Sequence, residues 1–169
     1  MYTTDGGFSL PQIKINSFSV TGFNLSSDQV SGNWDFEFVA ANYNDNDDMV
    51  FLFQSINIWL LLKNQQVPAY MTVLQPFELG PKTFTTHIFG KFSGSSEFLD
   101  DSSTKLIANE IKTNGEVEFD VKLESSVKNQ HFGTGLLKAY CDIVKFFVSP
   151  DTGTGKMLGV TVDCNEKFI

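Results

Sequence analysis

Alternation of apolar and polar residues over 32–44 constrains the fold of this chain more than any other feature. Trp34, Phe36 and Phe38 occupy every second position, and acidic residues lie between them. Successive side chains of a β-strand point to opposite faces of the sheet. The pattern therefore predicts a half-buried strand whose core face carries Trp34, Phe36 and Phe38.

The same segment runs into asparagines and aspartates at 42–48. Such side chains hydrogen-bond their own backbone in turns, so Asn42 and Asn44 are predicted to form a structural turn. A calcium site is the alternative, but the EF-hand spacing fails, because the sixth position is not glycine and no closing glutamate follows. We expect a turn, with no bound metal and no cofactor.

Residues 116–124 alternate in the same way without an exception. This is the clearest strand in the sequence, with one solvated face and one core face. The residues predicted for its core face are Val117, Phe119, Val121 and Leu123.

The rest of the chain contains shorter segments whose composition or alternation also predicts strands. Further strands are predicted at 13–20, 51–63, 67–74, 83–92, 139–148 and 158–164, with a bulge near 54–56 and loops at 24–32, 75–81, 93–96 and 149–156. Only Asp101–Ile111 favours a helix, with Leu106, Ile107 and Ile111 on one face and an Asn-Gly turn after it.

About seven or eight strands at turn-length spacing, with one short helix, predict a mostly β fold. We expect an antiparallel β-sandwich of Ig-like or fibronectin-III-like Greek-key type. Residues 1–12 are predicted to be an N-terminal tail, and residues 13–169 a single domain.

The net charge and the lengths of the apolar runs restrict the classes of partner that this chain is expected to bind. The 169 residues include 17 phenylalanines and carry a net charge of −8. Such acidity argues against nucleic acid, whose phosphates require lysine and arginine, and against simple attraction to an anionic membrane surface. The longest apolar run, 58–62, is far shorter than the ~20 residues of a membrane span. We expect either a soluble protein or a chain that begins after a membrane anchor.

Cys141 and Cys164 are the two cysteines of the chain, and the turn at 149–156 lies midway between them. A hairpin folded symmetrically about that turn places them opposite each other, at a distance that a disulfide can bridge. The same register opposes Asp142 to Asp163, which is unfavourable and suggests an additional bulge. Two buried free thiols are the alternative.

Few other residues suggest a site. Asn24 begins the sequon Asn-Leu-Ser and is a candidate for N-glycosylation. His87 and His131 lack partners at metal-binding or catalytic spacing, so we expect no catalytic residues and no enzyme. Trp59 and Leu61 make both faces of their strand apolar, which indicates either a covered second face or an exposed patch for a partner or lipid.

Several short motifs follow one another along the chain, each occurring once. They are the Trp-led strand ending Asn42-Tyr43-Asn44, then Pro76-Phe77, then Gly115 with the alternating strand, then Tyr140-Cys141-Asp142 and finally Asp163-Cys164. Together they resemble the late embryogenesis abundant group 2 family, or water-stress and hypersensitive-response domain, and within it the harpin-induced, non-race-specific disease-resistance-like branch of plants. One departure is Tyr43, where the family often has proline.

The resemblance implies a β-sandwich with one helix and no catalytic residues. It implies a glycoprotein domain that faces the cell exterior from the plasma membrane, held by an anchor absent from this chain, with roles in plant defence and the stress response. We therefore expect a non-enzymatic interaction domain with a protein partner and no nucleic acid. Two alternatives are a lipid-binding or lipid-transfer module and a soluble, cytoplasmic desiccation protectant.

Overall fold

The computed structural model describes residues 8–25, 30–62, 65–96, 101–149, 151–159 and 161–169. Within these ranges the chain forms one sheet of 11 strands and a helix. The strands are β1 (Gln12–Leu25), β2 (Val30–Asn42), β3 (Phe51–Leu62), β4 (Gln65–Leu74), β5 (Phe77–Leu79), β6 (Thr83–Ser96), β7 (Glu116–Asn129), β8 (Gly133–Val148), β9 (Gly155–Met157), β10 (Val162–Asp163) and β11 (Asn165–Phe168), and the helix is α1 (Asp101–Asn114).

All described strand pairs are antiparallel, in the spatial order β4-β3-β7-β8-β9-β1-β2-β6. The outermost strands, β4 and β6, approach each other, so the sheet nearly closes into a barrel. The predicted class is thereby confirmed: a mostly β, antiparallel fold of the sandwich or barrel type with one short helix. The seven long strands account for the predicted number, and the four short ones are β5, β9, β10 and β11.

The two alternating segments supply much of the core. Trp34, Phe36 and Phe38 are buried, and so are Val117, Phe119, Val121 and Leu123. The Trp34 ring meets the rings of Phe119 and Phe146 edge to face, at centroid distances of 6.0 and 5.6 Å. Such contacts stabilise beyond the apolar area that they bury. Because these rings belong to β2, β7 and β8, they join opposite sides of the nearly closed sheet.

The helix extends beyond its predicted end. It terminates at Gly115, whose φ of +68° suits glycine and whose N–H donates to the carbonyl of Ile111 at 2.8 Å. Ile107 and Ile111 are buried against the sheet, whereas Leu106 is 40% exposed. The prediction for Leu106 was wrong: it lies about 100° around the helix from Ile107, at the margin of the apolar face, and in this fold that margin is exposed to solvent.

Three predicted loops contain more strand than expected. Asn24 lies within β1 and pairs with Ser31, which shortens the expected loop at 24–32. The segment 75–81 contains β5, which pairs with β3. Residues 93–96 continue β6 beside β2. In each case a partner strand supplies hydrogen bonds that local composition does not reveal. The expected bulge in β3 is present between Phe53 and Ser55.

The described part of the predicted N-terminal tail packs on the domain. β1 begins at Gln12. Ser9 and Leu10 are buried, and the Ser9 backbone hydrogen-bonds the Asn44 side chain. Residues before the expected boundary at 13 therefore take part in the packing of the domain.

Among the described residues of the predicted strand at 158–164, only β10 is a strand; β9 lies before this range and β11 after it. β9 pairs with β8 so that Phe147 faces Lys156, whereas β11 pairs with β8 so that Tyr140 faces Asn165. The two registers differ by two residues, because the chain between them leaves β8 and pairs with β1 through β10. Asp163 consequently lies opposite Lys14 rather than Asp142, which removes the unfavourable carboxylate pair.

Cys141 and Cys164 form a disulfide, with Cα atoms 4.2 Å apart. The register of β11 on β8 places them opposite each other, as hairpin symmetry predicted, although the hairpin itself is interrupted. The bond joins the C-terminal segment to the central strand β8.

Candidate functional site

A buried polar corner follows β2 at the predicted turn. Asn42 donates through its side-chain amide to the carbonyls of Met49, at 2.8 Å, and Leu79, at 3.3 Å. Its side-chain oxygen accepts from the backbone N–H and side-chain amide of Asn44, at 3.1 and 2.8 Å. Asn44 in turn bonds the backbone N–H and carbonyl of Ser9, each at 2.8 Å. These bonds satisfy buried backbone groups, so both asparagines have a structural role.

Tyr43 projects outward between the two asparagines. Its ring is 37% exposed and stacks on Phe84 of β6, which is 59% exposed, with centroids 5.5 Å apart. Tyr43 thus belongs to an aromatic pair on the outer face of the sheet.

The C-terminal segment, residues 163–166, lies on the outer face of the sheet opposite the Tyr43–Phe84 pair. The N–H of Cys164 donates to the carbonyl of Ile13, at 3.1 Å, and the N–H of Ile13 donates to the carboxylate of Glu166, at 2.6 Å. Together with the disulfide, these bonds fix the segment against β1.

Glu166 is a buried acidic residue, only 9% exposed. Burial raises the pKa of its carboxyl, the hydrogen bond from Ile13 lowers it, and the nearby carboxylate of Asp163 raises it again. Its ionised form is therefore disfavoured relative to a solvent-exposed glutamate.

A cavity of about 310 Å³ lies between the aromatic pair and the C-terminal segment. Val39 and Ala41 form its apolar floor, and Gln12 and Lys14 of β1 contribute polar groups. The remaining wall consists of Ile13, Tyr43, Phe84 and residues 163–166. The cavity combines an aromatic face with hydrogen-bond donors and acceptors, as ligand sites commonly do.

A second cavity, of about 350 Å³, lies beside α1. Phe23, Ala108, Ile111 and Val148 give it an apolar lining, and Lys112 stands at its edge together with Asn24 and Ser149.

The predicted glycosylation residue, Asn24, is exposed near the end of β1 and lines this second cavity. The third residue of its sequon, at position 26, lies outside the described residues. Glycosylation of Asn24 stays a prediction.

The two histidines lie apart on the surface. His87 contacts the carboxylate of Glu37 and stacks against Phe89. His131 lies 3.1 Å from the carboxylate of Asp48. Among the described residues, no group of three or more potential ligands could hold a metal ion.

The second face of β3 is covered toward the end of the strand, at Trp59 and Leu61, whereas Leu52 near its start is 37% exposed. Leu61 is buried, and the partly buried Trp59 carries the Lys122 ammonium 5.2 Å from its ring centroid. A cation over an indole ring is a favourable contact. These contacts favour the interpretation of Trp59 and Leu61 as a covered face.

Sequence reasoning missed the cavity beside Tyr43. Alternation alone would place Phe84 on the same face as Ile88, and the register shift of β6 against β2 between Ala40 and Asn42, which turns it outward, leaves no local signal in the sequence. Glu166 gave no signal either, since its burial depends on the interrupted hairpin.

Comparisons with known proteins assign neither a family nor a function to this chain. No known protein family matches the chain, and no curated protein matches it significantly. Among solved structures, a protein from Archaeoglobus fulgidus is similar, with 12% sequence identity and a TM-score of 0.38, over 80% of this chain and 98% of that one. Neither the fold nor any function is transferred from it. Within the described residues, no helix is long and apolar enough to cross a membrane.

Proposed function

We propose that this chain is a non-enzymatic interaction domain that faces the cell exterior, as part of a membrane-anchored plant defence or stress-response protein. The observation that carries the proposal is the Cys141–Cys164 disulfide. Disulfides persist in oxidising compartments such as the cell exterior and are rare in the cytosol. The ordered motifs that resemble the late embryogenesis abundant group 2 family support the same compartment and role.

Exposed aromatic residues on the outer face of β6 support a partner-binding role. Phe89 is 72% exposed, and the Tyr43–Phe84 pair lies further along the same strand. Aromatic side chains are enriched at protein interfaces, and clustered exposed ones mark interaction sites. We assign the protein partner to this face.

The test is the redox state of the two cysteines in protein isolated from its native membrane. Free thiols are alkylated before lysis, and labelled and bridged Cys141 and Cys164 are then counted by mass spectrometry. The proposal expects the bridged form. Two free thiols would contradict an extracellular domain and would favour the soluble, cytoplasmic desiccation protectant instead.

The second candidate function is lipid binding, and the cavity beside α1 favours it. Its apolar lining of Phe23, Ala108, Ile111 and Val148 suits a hydrocarbon chain, and the Lys112 ammonium at its edge suits an anionic head group. Burial of an acyl chain contributes about 0.8 kcal/mol for each methylene removed from water.

Native mass spectrometry with a long-chain fatty acid tests this candidate. Ala108→Trp fills the cavity from the exposed side of the helix and should abolish the bound form. Asn109→Trp adds the same bulk at a neighbouring exposed position outside the lining and should leave binding unchanged. Absence of any bound fatty acid on the unmodified chain would exclude lipid binding at this cavity.

A further inference from the structure

The packing of the fold does not account for the cavity between Tyr43 and the C-terminal segment. Its floor is formed by Val39 and Ala41, which are buried although they face outward from the sheet. A simple exposed β face would present such residues to solvent or replace them with polar ones. Here the segment 163–166 shields them and leaves an open volume beside them.

The lining offers both kinds of hydrogen-bonding group. Lys14 donates, the carboxylate of Asp163 accepts, and the carboxamide of Gln12 does both. A ligand that suits this set carries several groups that can donate and accept in turn, as hydroxyls do.

The aromatic pair sets the second requirement on the ligand. Phe84 and Tyr43 are stacked at the rim, and much of each ring remains in contact with solvent. A flat face of C–H groups packs well on such rings, because they are large, rigid and apolar. Sugar rings present such a face on one side and hydroxyls around the edge.

Charge distinguishes a sugar from the main competing ligand, an organic cation. Aromatic rings beside carboxylates can bind ammonium groups. In this cavity, however, the Lys14 ammonium repels a cation, and the Glu166 carboxyl already accepts the Ile13 N–H. Lys14 lies opposite Asp163 in the register, so these two opposite charges offset each other, which suits a neutral ligand.

We propose that the cavity between the Tyr43–Phe84 pair and residues 163–166 binds a neutral saccharide, one sugar ring at a time. The cavity volume lies at the small end of the range for ligand sites, about 300–1,000 Å³. The apolar face of the ring packs on Phe84, and its hydroxyls bond Gln12, Lys14 and Asp163. This site shares the Tyr43–Phe84 pair with the face assigned to the protein partner, but the argument for it rests on the cavity lining.

The test is a titration of the oxidised, isotope-labelled protein followed by amide NMR. The probes are glucose, galactose, mannose and xylose, together with their common disaccharides. The proposal expects saturable shifts for the amides of Tyr43, Phe84 and residues 164–166 with at least one saccharide, and no dependence on salt concentration. Choline chloride serves as the cation probe.

Matched variants assign the binding to the cavity. Phe84→Ala should weaken the saccharide by about tenfold, the loss expected for one aromatic contact of about 1.4 kcal/mol. Phe89→Ala removes a more exposed phenylalanine of the same strand that does not line the cavity, and should change the affinity by less than about twofold. If Phe84→Ala does not fold, the titration of the unmodified protein decides.

Three outcomes would overturn the proposal. They are a failure of every saccharide to shift these amides, salt-sensitive shifts with choline alone, and saccharide-induced shifts confined to the cavity beside α1. The cysteine test of the proposed function is unaffected by each of them, so the two proposals fail separately.

Discussion

Two buried asparagines determine the geometry of the corner after β2. Asn42 and Asn44 bond each other and, between them, backbone groups of Met49, Leu79 and Ser9. Buried backbone groups without a partner are costly, so these carboxamides replace the hydrogen bonds that a regular strand would provide. The corner also directs the Tyr43 side chain outward. The stacking of Tyr43 on Phe84 depends on this orientation.

Asn42→Ala should lower the free energy of unfolding by about 3 kcal/mol, because it leaves two buried carbonyls and Asn44 without their partner. Urea unfolding at neutral pH measures the loss. Asn46→Ala is the control, since its side chain is exposed and its backbone carbonyl still accepts from Met49. Equal stability of the two variants would contradict the structural role of Asn42.

Glu166 makes stability depend on pH in the direction opposite to most paired carboxylates. Its folded pKa is raised above the ordinary value of 4.5, so the folded state holds more protons between 4.5 and that raised pKa. Its contribution to stability is therefore present below pH 4.5 and is lost as pH rises through the folded pKa. Lys14 and Asp163 are the other charged side chains that line the same cavity.

Glu166→Gln keeps an acceptor for the Ile13 N–H and removes the ionisation. We expect the variant to gain stability over the unmodified protein as pH rises from 4 to 7, measured by urea unfolding at several pH values. Glu124→Gln is the control of opposite sign, because the hydrogen bond from Lys122 lowers the pKa of Glu124. A constant stability difference for Glu166→Gln across this range would contradict the assignment.

Single residues differ in how far the sequence predicts them. Trp34 and Phe119 were assigned to the core correctly, because alternation fixes the face of a strand without knowledge of its partner. The burial of Glu166 could not be predicted, because it follows from the register of β11, which no local pattern records.

Long elements follow from periodicity, and short ones do not. β7 and β2 are long enough for many alternations to agree, and α1 has one apolar stripe. β5 and β9 have three residues each, too few for a period, and are defined by their neighbours. The error at 158–164 has the same origin, because β10 has only two residues and is defined by its pairing with β1.

The helix packs through a narrower stripe than its sequence suggests, and a pair of variants measures this. Ile107→Ala should cost about 3 kcal/mol of unfolding free energy, since Ile107 is buried against the sheet. Leu106→Ala removes a side chain that is largely in water and should change stability by about 0.5 kcal/mol. Similar losses in thermal and urea unfolding would mean that both residues face the core.

At the scale of the whole molecule, one aromatic cluster joins the opposite sides of the nearly closed sheet. Phe18, Trp34, Phe119 and Phe146 meet at centroid distances between 5.4 and 6.0 Å. The sequence predicted the class of fold, because strand number and alternation suffice for it. The near-closure was not predicted, because it depends on the approach of β4 and β6, which are distant in the spatial order of the sheet.

The position of Asn24 leads to a prediction about two proposed properties of the chain. Because Asn24 lines the cavity beside α1, a glycan attached there would cover the same cavity that a lipid would enter. Glycosylated protein should therefore bind less fatty acid than Asn24→Gln produced in the same host, as measured by native mass spectrometry. Equal binding by the two forms would show that the glycan points away from the cavity.

The short strands β9, β10 and β11 connect β8 with β1, and this connection has a consequence for the order of folding. β9 and β10 pair with β1, while β9 and β11 pair with β8, so residues 155–168 connect two groups of strands. These residues follow both groups in the chain and leave the ribosome after them. The connection, and the joining of the Cys141 and Cys164 thiols into a disulfide by the oxidants of an oxidising compartment, must therefore come after synthesis of everything that it connects. Until then the edges of β1 and β8 are open to other chains, which makes prompt oxidation a protection against misassembly.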